Sequence, residues 1–292
     1  MKVDAITPKT KKYFYTYEQY EDEGKGTDTL VNDILSDPEF PELTELTIGD
    51  WGGCWEDGCQ KIIDEIVDHA ERFSHIQGLF IGDMDYEECE VSWIIQGNYS
   101  RLWAALPHLK ALTIKGSTDL SLGDIRHENL ESLTIICGGL PEAVIGQIEN
   151  ANLPNLKKLL LYIGIEDYGF DGNADTIKAL LENTDFPKLE YLGIVDSEIQ
   201  DRLTQIVLDS KYMNLIHTLD LSNGTLTDKG GELLLKKLPD YPNIKKLDVH
   251  YNYLTDEVAR KLEALPINTD TSERNKPWEY KGESYMNAML TE

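Results

Sequence analysis

The chain has 292 residues, 41% apolar and 27% charged, with 27 Lys and Arg against 53 Asp and Glu, a net charge of −26. That composition supports a large buried core, and the acidity excludes polyanion chemistry: phosphate is neutralised by clustered Lys and Arg, so neither nucleic acid nor an anionic membrane is expected as a partner. No apolar run approaches the roughly 18 residues that cross a bilayer.

The first residues, MKVDAITPKTKKYFYTYEQY, hold no apolar core and no small-residue cleavage site of the kind a secretory signal carries. A cytoplasmic protein is expected, with Cys54, Cys59, Cys89 and Cys137 as reduced thiols. The segment KYFYTYEQY followed by GTDTLVNDILSD reads as a capping strand and helix.

From there the chain repeats itself. The pattern apolar-x-x-Leu-x-apolar starts at Leu43, Ile76, Leu109, Leu130, Leu156, Leu189, Ile216 and Ile244, at intervals of 33, 33, 21, 26, 33, 27 and 28 residues. A short strand of this kind cannot bury its own apolar positions, but stacked neighbours share one core. The expected fold is an α/β leucine-rich-repeat solenoid of about eight repeats plus caps, with a parallel sheet on the concave face and helices on the convex face.

The helices follow from apolar spacing near 3.6. They are expected over CQKIIDEIVDHAERF, SWIIQGNYSRLWAAL, ADTIKALLEN, DRLTQIVLDSKYM, DKGGELLLKKL and DEVARKLEAL. Thr227-Asp228 and Thr255-Asp256 are helix-start signals for the last two. The interval of 21 leaves GSTDLSLGDIRHEN too short for a helix, so a turn or brief extended segment is expected there. PINTDTSERNKPWEYKGESYMNAMLTE reads as an irregular cap. A single domain over residues 1–292 follows, with caps at 1–39 and 266–292 and repeats at 40–265.

LTDKGGELLLKKL and LDVHYNYLTDEVARKL resemble leucine-rich repeats of the ribonuclease-inhibitor class. Taken with GDW, LFIGDMDYEECEVSWI, IRHENLESL, GGLPEAVI, LYIGIEDYGFDG and LDLSNGTLTDKG, the chain resembles an uncharacterised family of bacterial cytoplasmic leucine-rich-repeat proteins. The resemblance implies the fold and the location and brings no assigned activity. The Asn usual after the strand occurs only in the last repeat, as Asn252, so an Asn ladder is not the main staple.

Two acidic corners stand out. Asp50 and Asp83 occupy the same slot of adjacent repeats, and Asp57, Asp85, Glu87, Glu88 and Glu90 follow. Oxygen ligands of this kind suit a hard cation, but the D-x-[DN]-x-[DN]-G rhythm of a calcium loop is absent. Turn and helix-start chemistry accounts for the acids equally well. Cys54-x4-Cys59 lacks zinc-site spacing, and acidic neighbours disfavour a reactive thiolate. His69, His75, His108, His127, His217 and His250 enter no recognisable catalytic motif, and no phosphate-binding loop is present. No enzyme, cofactor or metal is expected.

Function is therefore expected on the concave face. Its columns contain Phe80, Ile136, Leu160, Tyr162, Tyr191 and Val195, then polar Asp220, Ser222, Asp248 and His250; the next slot adds Cys137 and Ile163. An apolar patch rimmed by charge marks a partner site, and Tyr is a frequent anchor. The expectation is a non-enzymatic interaction module or scaffold. It binds a protein or peptide through Phe80, Ile136, Leu160, Tyr162, Tyr191 and Val195, and Asp220 and Asp248 select basic groups. The alternative is an accessory protein holding a small ligand or divalent cation at Asp50 and Asp83. Coverage of the patch by the C-terminal tail is the competing account of its apolar character.

Overall fold

A computed structural model describes residues 9–291; the first eight residues of the expected N-terminal cap lie outside it. Ten strands form one sheet in chain order: β1 Thr10–Tyr13, β2 Glu45–Ile48, β3 Gly78–Ile81, β4 Ala111–Lys115, β5 Ser132–Ile136, β6 Lys158–Gly164, β7 Tyr191–Ser197, β8 Thr218–Asp220, β9 Lys246–Asp248 and β10 Asn268–Asp270. Every neighbouring pair is parallel. The chain is a leucine-rich-repeat solenoid, and β1 and β10 extend the sheet beyond the eight repeats.

The repeat motif sets the register. Leu46, Leu79, Leu112, Leu133, Leu159, Leu192, Leu219 and Leu247 lie side by side across β2 to β9, and all are buried. Burying a leucine contributes about 1.5–3 kcal/mol, and a one-residue slip would turn the whole column to solvent. That penalty is why the register holds although the intervals between strands vary.

The connections carry α1 Tyr17–Glu23, which packs Tyr20 against Trp55 in the turn after β2, and on the convex side α2 Thr27–Ser36, α3 Gln60–Asp68, α4 Ala70–Phe73, α5 Leu102–Ala105, α6 Glu142–Glu149, α7 Ala174–Asn183, α8 Gln200–Leu208, α9 Asp228–Lys237 and α10 Asp256–Glu263. The Thr227 and Thr255 hydroxyls accept from Lys229 N and Val258 N and cap α9 and α10 as expected. The preceding repeat holds each cap in turn. Asp201 accepts from Thr227 N and Oγ1 at 2.9 and 2.6 Å, and Asp228 from Thr255 N and Oγ1 at 2.8 and 2.9 Å. No helix among the described residues is long and apolar enough to cross a membrane.

Two helical expectations need correction. SWIIQGNYSRLWAAL is not one helix: it gives a single 3-10 turn at Val91–Trp93 and the short α5. Gly97 and Asn98 break it, because the chain there runs extended against the preceding repeat. Asn98 N donates to Gln60 Oε1 at 2.7 Å, and a Cβ on Gly97 would lie 3.1 Å from Gln60 Cα. Conversely α6, over EAVIGQIE, was not expected; Val144, Ile145 and Ile148 bury its inner face. Between β4 and β5 the short interval holds isolated parallel bridges, Ile95 to Thr118 and Asn98 to Ser121, which fits the brief extended segment expected there. After β10 come two short antiparallel strands, β11 Trp278–Tyr280 and β12 Glu283–Tyr285.

Candidate functional site

Alternation along each strand puts the even motif positions on the concave face. In β6, Lys158, Leu160 and Tyr162 are half-buried between buried Leu159, Leu161 and Ile163. Phe80, Ile136 and Tyr191 are likewise half-buried. Leu160 lies over β7 because Gly193 leaves room: a Cβ there would stand 2.4 Å from Leu160 Cδ1. Lys158 places its ammonium 4.9 Å from the Tyr191 ring centroid. Leu160, Tyr162 and Tyr191 thus form one patch, with Ile136 near its upper edge, while Phe80 stands on β3, two strands away from β5.

Three expected contact residues are not open. Val195, expected on the patch, has no exposed surface. Asp220 and Asp248 are buried at 6% and 8% exposure and are spent on internal bonds. Asp220 accepts from the Tyr191 hydroxyl and from Ser222 N at 3.0 Å. Asp248 takes the Lys246 ammonium at 2.9 Å and His250 Nδ1 at 2.7 Å. Tyr191 is therefore a structural donor as well as a surface ring. Burial and the adjacent Asp220 hold its hydroxyl well above the usual tyrosine range. Burial, with Asp196 and Asp220 nearby, raises the Tyr162 hydroxyl to about 12. Cys137 and Ile163 are also fully buried.

The C-terminal segment packs along the turns that follow the strands. It crosses the ends of the strands from the last repeats back towards β5. Asn287 N donates to the Tyr253 hydroxyl at 2.9 Å, Met289 N to Asn223 O at 2.8 Å, and Leu290 N to Asp196 Oδ1 at 2.8 Å. Thr291 O reaches Gly138, where a Cβ would lie 2.6 Å away. The segment is thus hydrogen-bonded at the turns of Asn223 and Asp196, the latter next in sequence to Val195.

Asp196 was missed by sequence reasoning. It has a left-handed backbone, φ 57°, no exposed surface, and an Oδ2 atom without a hydrogen-bond partner. Burial raises its pKa to about 8, against the opposing pull of the Leu290 and Met289 N–H groups. Left-handed residues recur seven positions into several repeats, as Gly116, Asp196, Asn223 and Tyr251.

At the acidic corners Asp50 and Asp83 do lie in neighbouring repeats, but each is engaged. Asp50 Oδ1 accepts from Gly52 N at 2.8 Å, and burial raises its pKa. Lys12 pairs with Asp83 at 3.5 Å and Glu88 at 3.7 Å. Lys115 donates to Met84 O, and burial lowers its pKa despite the pull of Asp83, Asp85 and Glu88. The corner supplies its own cations. The set that does converge is Asp248, His250 and Asp270, whose ligand atoms lie within 4.8 Å of one another; Asp270 was not foreseen, and the Lys246 ammonium already balances charge there.

All four thiols are buried and free. Burial raises Cys59 and Cys137 to about 12. A hydrogen bond with Cys89, burial and Asp50 hold Cys54 above its ordinary value.

No family model matches the chain, and no curated protein matches it. Among solved structures, an internalin from Listeria monocytogenes is 16% identical, with a TM-score of 0.35, over 81% of this chain and 69% of its own. A crystal structure of a protein from Bacteroides fragilis, a structural-genomics target, is 41% identical and superposes with a TM-score of 0.88. The match covers 97% of this chain and 77% of that one. At that identity over nearly the whole length, the chain belongs to the same family as the Bacteroides fragilis protein.

Proposed function

We propose that this protein is a non-enzymatic interaction module of the cytoplasm that takes a protein or peptide partner on its concave face. One observation carries the reading: residues 287–291 already lie across the strand ends in the manner of a docked peptide, held by main-chain N–H groups at Asn223 and Asp196. Beside that crossing, Leu160, Tyr162 and Tyr191 remain half-open, a surface of the kind that anchors a partner. The net charge of −26 favours a basic partner over nucleic acid or an anionic membrane. Lys12 and Lys115 at the acidic corners count against the alternative of a divalent cation at Asp50 and Asp83.

The test compares proteins that co-purify with tagged wild type and with Leu160→Glu. Leu160 is used because replacing Tyr191 would strand the buried Asp220. A partner lost only from the variant, at an unchanged melting temperature, is expected. Identical sets of co-purifying proteins would overturn the reading.

A further inference from the structure

The corners of the first two repeats form a recess that the concave-face reading does not use. It is an open surface groove of about 310 Å³, lined by Trp55, Tyr86, Glu88, Cys89, Glu90 and Trp93. Stacking of the repeats creates it. Trp55 stands twelve positions after Leu43, and Glu88 twelve after Ile76, so the two share a slot in consecutive turns of the solenoid. Main-chain bonds join the corners, Ile95 N to Cys54 O at 3.1 Å and Cys59 N to Ile95 O at 3.3 Å.

The wall is held in place from the N-terminal side. Tyr20 packs edge-on against Trp55, with ring centroids 6.4 Å apart. It can do so because Gly52 and Gly53 have left-handed backbones and no side chains, and a Cβ on either would come within 2.7–2.8 Å of the Tyr20 side chain. The opposite wall is open: Tyr86 is 66% exposed and Trp93 59%. Glu90 has no side-chain partner among the described residues, whereas Glu88 already takes Asp85 N at 3.0 Å and Lys12 at 3.7 Å.

Three aromatic residues beside two carboxylates select for charge and for apolar surface together. Ring faces are electron-rich and attract cations, and the acids and the net charge strengthen that attraction. A bare hard cation needs a shell of oxygen ligands, which these rings do not supply. An alkylated ammonium brings its own apolar shell and loses little on leaving water. We propose that this groove binds an alkylammonium group, carried either by a small molecule or by a methylated lysine side chain.

Isothermal titration calorimetry of the intact protein tests this with three probes: choline, Nα-acetyl-Nε-trimethyllysine amide, and 3,3-dimethylbutan-1-ol, the uncharged isostere of choline. Saturable binding of at least one cation is expected, with the isostere about tenfold weaker. Whichever cation binds more tightly identifies the source. Glu90→Gln and Trp93→Ala should each weaken binding about tenfold at unchanged melting temperature; Tyr86→Ala replaces Trp93→Ala if the latter fails to fold. No saturable heat from either cation would overturn the proposal. So would equal binding of the isostere, or cation binding that both variants leave unaltered.

Discussion

Asp196→Asn removes a buried charge without removing the bond that charge makes. Asn tolerates a left-handed backbone, and Asn223 already occupies the equivalent position of the next repeat at φ 64°. Its amide oxygen can still accept from Leu290 N. The carboxyl is raised from 3.8 to about 8 in the folded protein, so folding favours its protonated form. Its contribution is complete below pH 3.8 and is lost as pH rises through 8. At about 1.4 kcal/mol per unit, a shift of roughly four units sets a ceiling near 6 kcal/mol. Between about pH 5 and about pH 7.5, wild type should lose up to about 3 kcal/mol relative to the variant. Urea unfolding followed by tryptophan fluorescence at both pH values measures the gap, with Asp196→Asn the more stable at the higher pH. A gap that stays the same at both values would show that Asp196 ionises normally, and would refute the reasoning.

Asn252→Ala should be among the most damaging single changes. The Asn252 side chain is fully buried; it donates to Leu221 O, Val249 O and His250 O and accepts from Leu226 N. Orphaning those groups should cost about 3–5 kcal/mol, read as a drop in urea midpoint; a loss under about 1 kcal/mol would mean that water replaces the amide. Tyr191→Phe leaves the ring in place but takes a donor from buried Asp220. A cost of about 1–3 kcal/mol is expected, and thermal unfolding that matches wild type would show Asp220 to be satisfied by other means.

The sheet was legible because one constraint wrote it: a Leu ladder with a fixed offset within each repeat marks every strand from β2 to β9. The caps Thr227 and Thr255 were legible for a similar reason, as local chemistry. Features that depend on two distant segments were not. Periodicity placed Val195 on the open face, where the structure finds it buried, and carried no information about residues 287–291 bonding at the turn of Asp196. Asp220 was read as a surface charge because nothing local announces Tyr191, 29 residues away, as its partner; for Asp248 the partners Lys246 and His250 stand only two residues off, and strand alternation put all three on one face. The helix over SWIIQGNYSRLWAAL failed because apolar spacing survived while Gly97 and Asn98 were committed to the neighbouring repeat. At the acidic corners the slot relation could be read from the repeat spacing but the cations could not, since Lys12 arrives from β1 and Lys115 from β4.

The docked tail bears on how tightly any partner would be held. Its two main-chain bonds, from Met289 and Leu290, each contribute only about 0.5–1.5 kcal/mol. Yet a tethered segment competes at an effective concentration on the order of millimolar, so a peptide that bound over the turns at Asp196 and Asn223 would have to displace residues 287–291. Contacts the tail does not make would decide that competition, and Leu160, Tyr162 and Tyr191 remain half-open beside its path. The apolar patch and the tail are therefore parts of one arrangement. The tail is held at the turns of Asp196 and Asn223, while Leu160, Tyr162 and Tyr191 stay half-open.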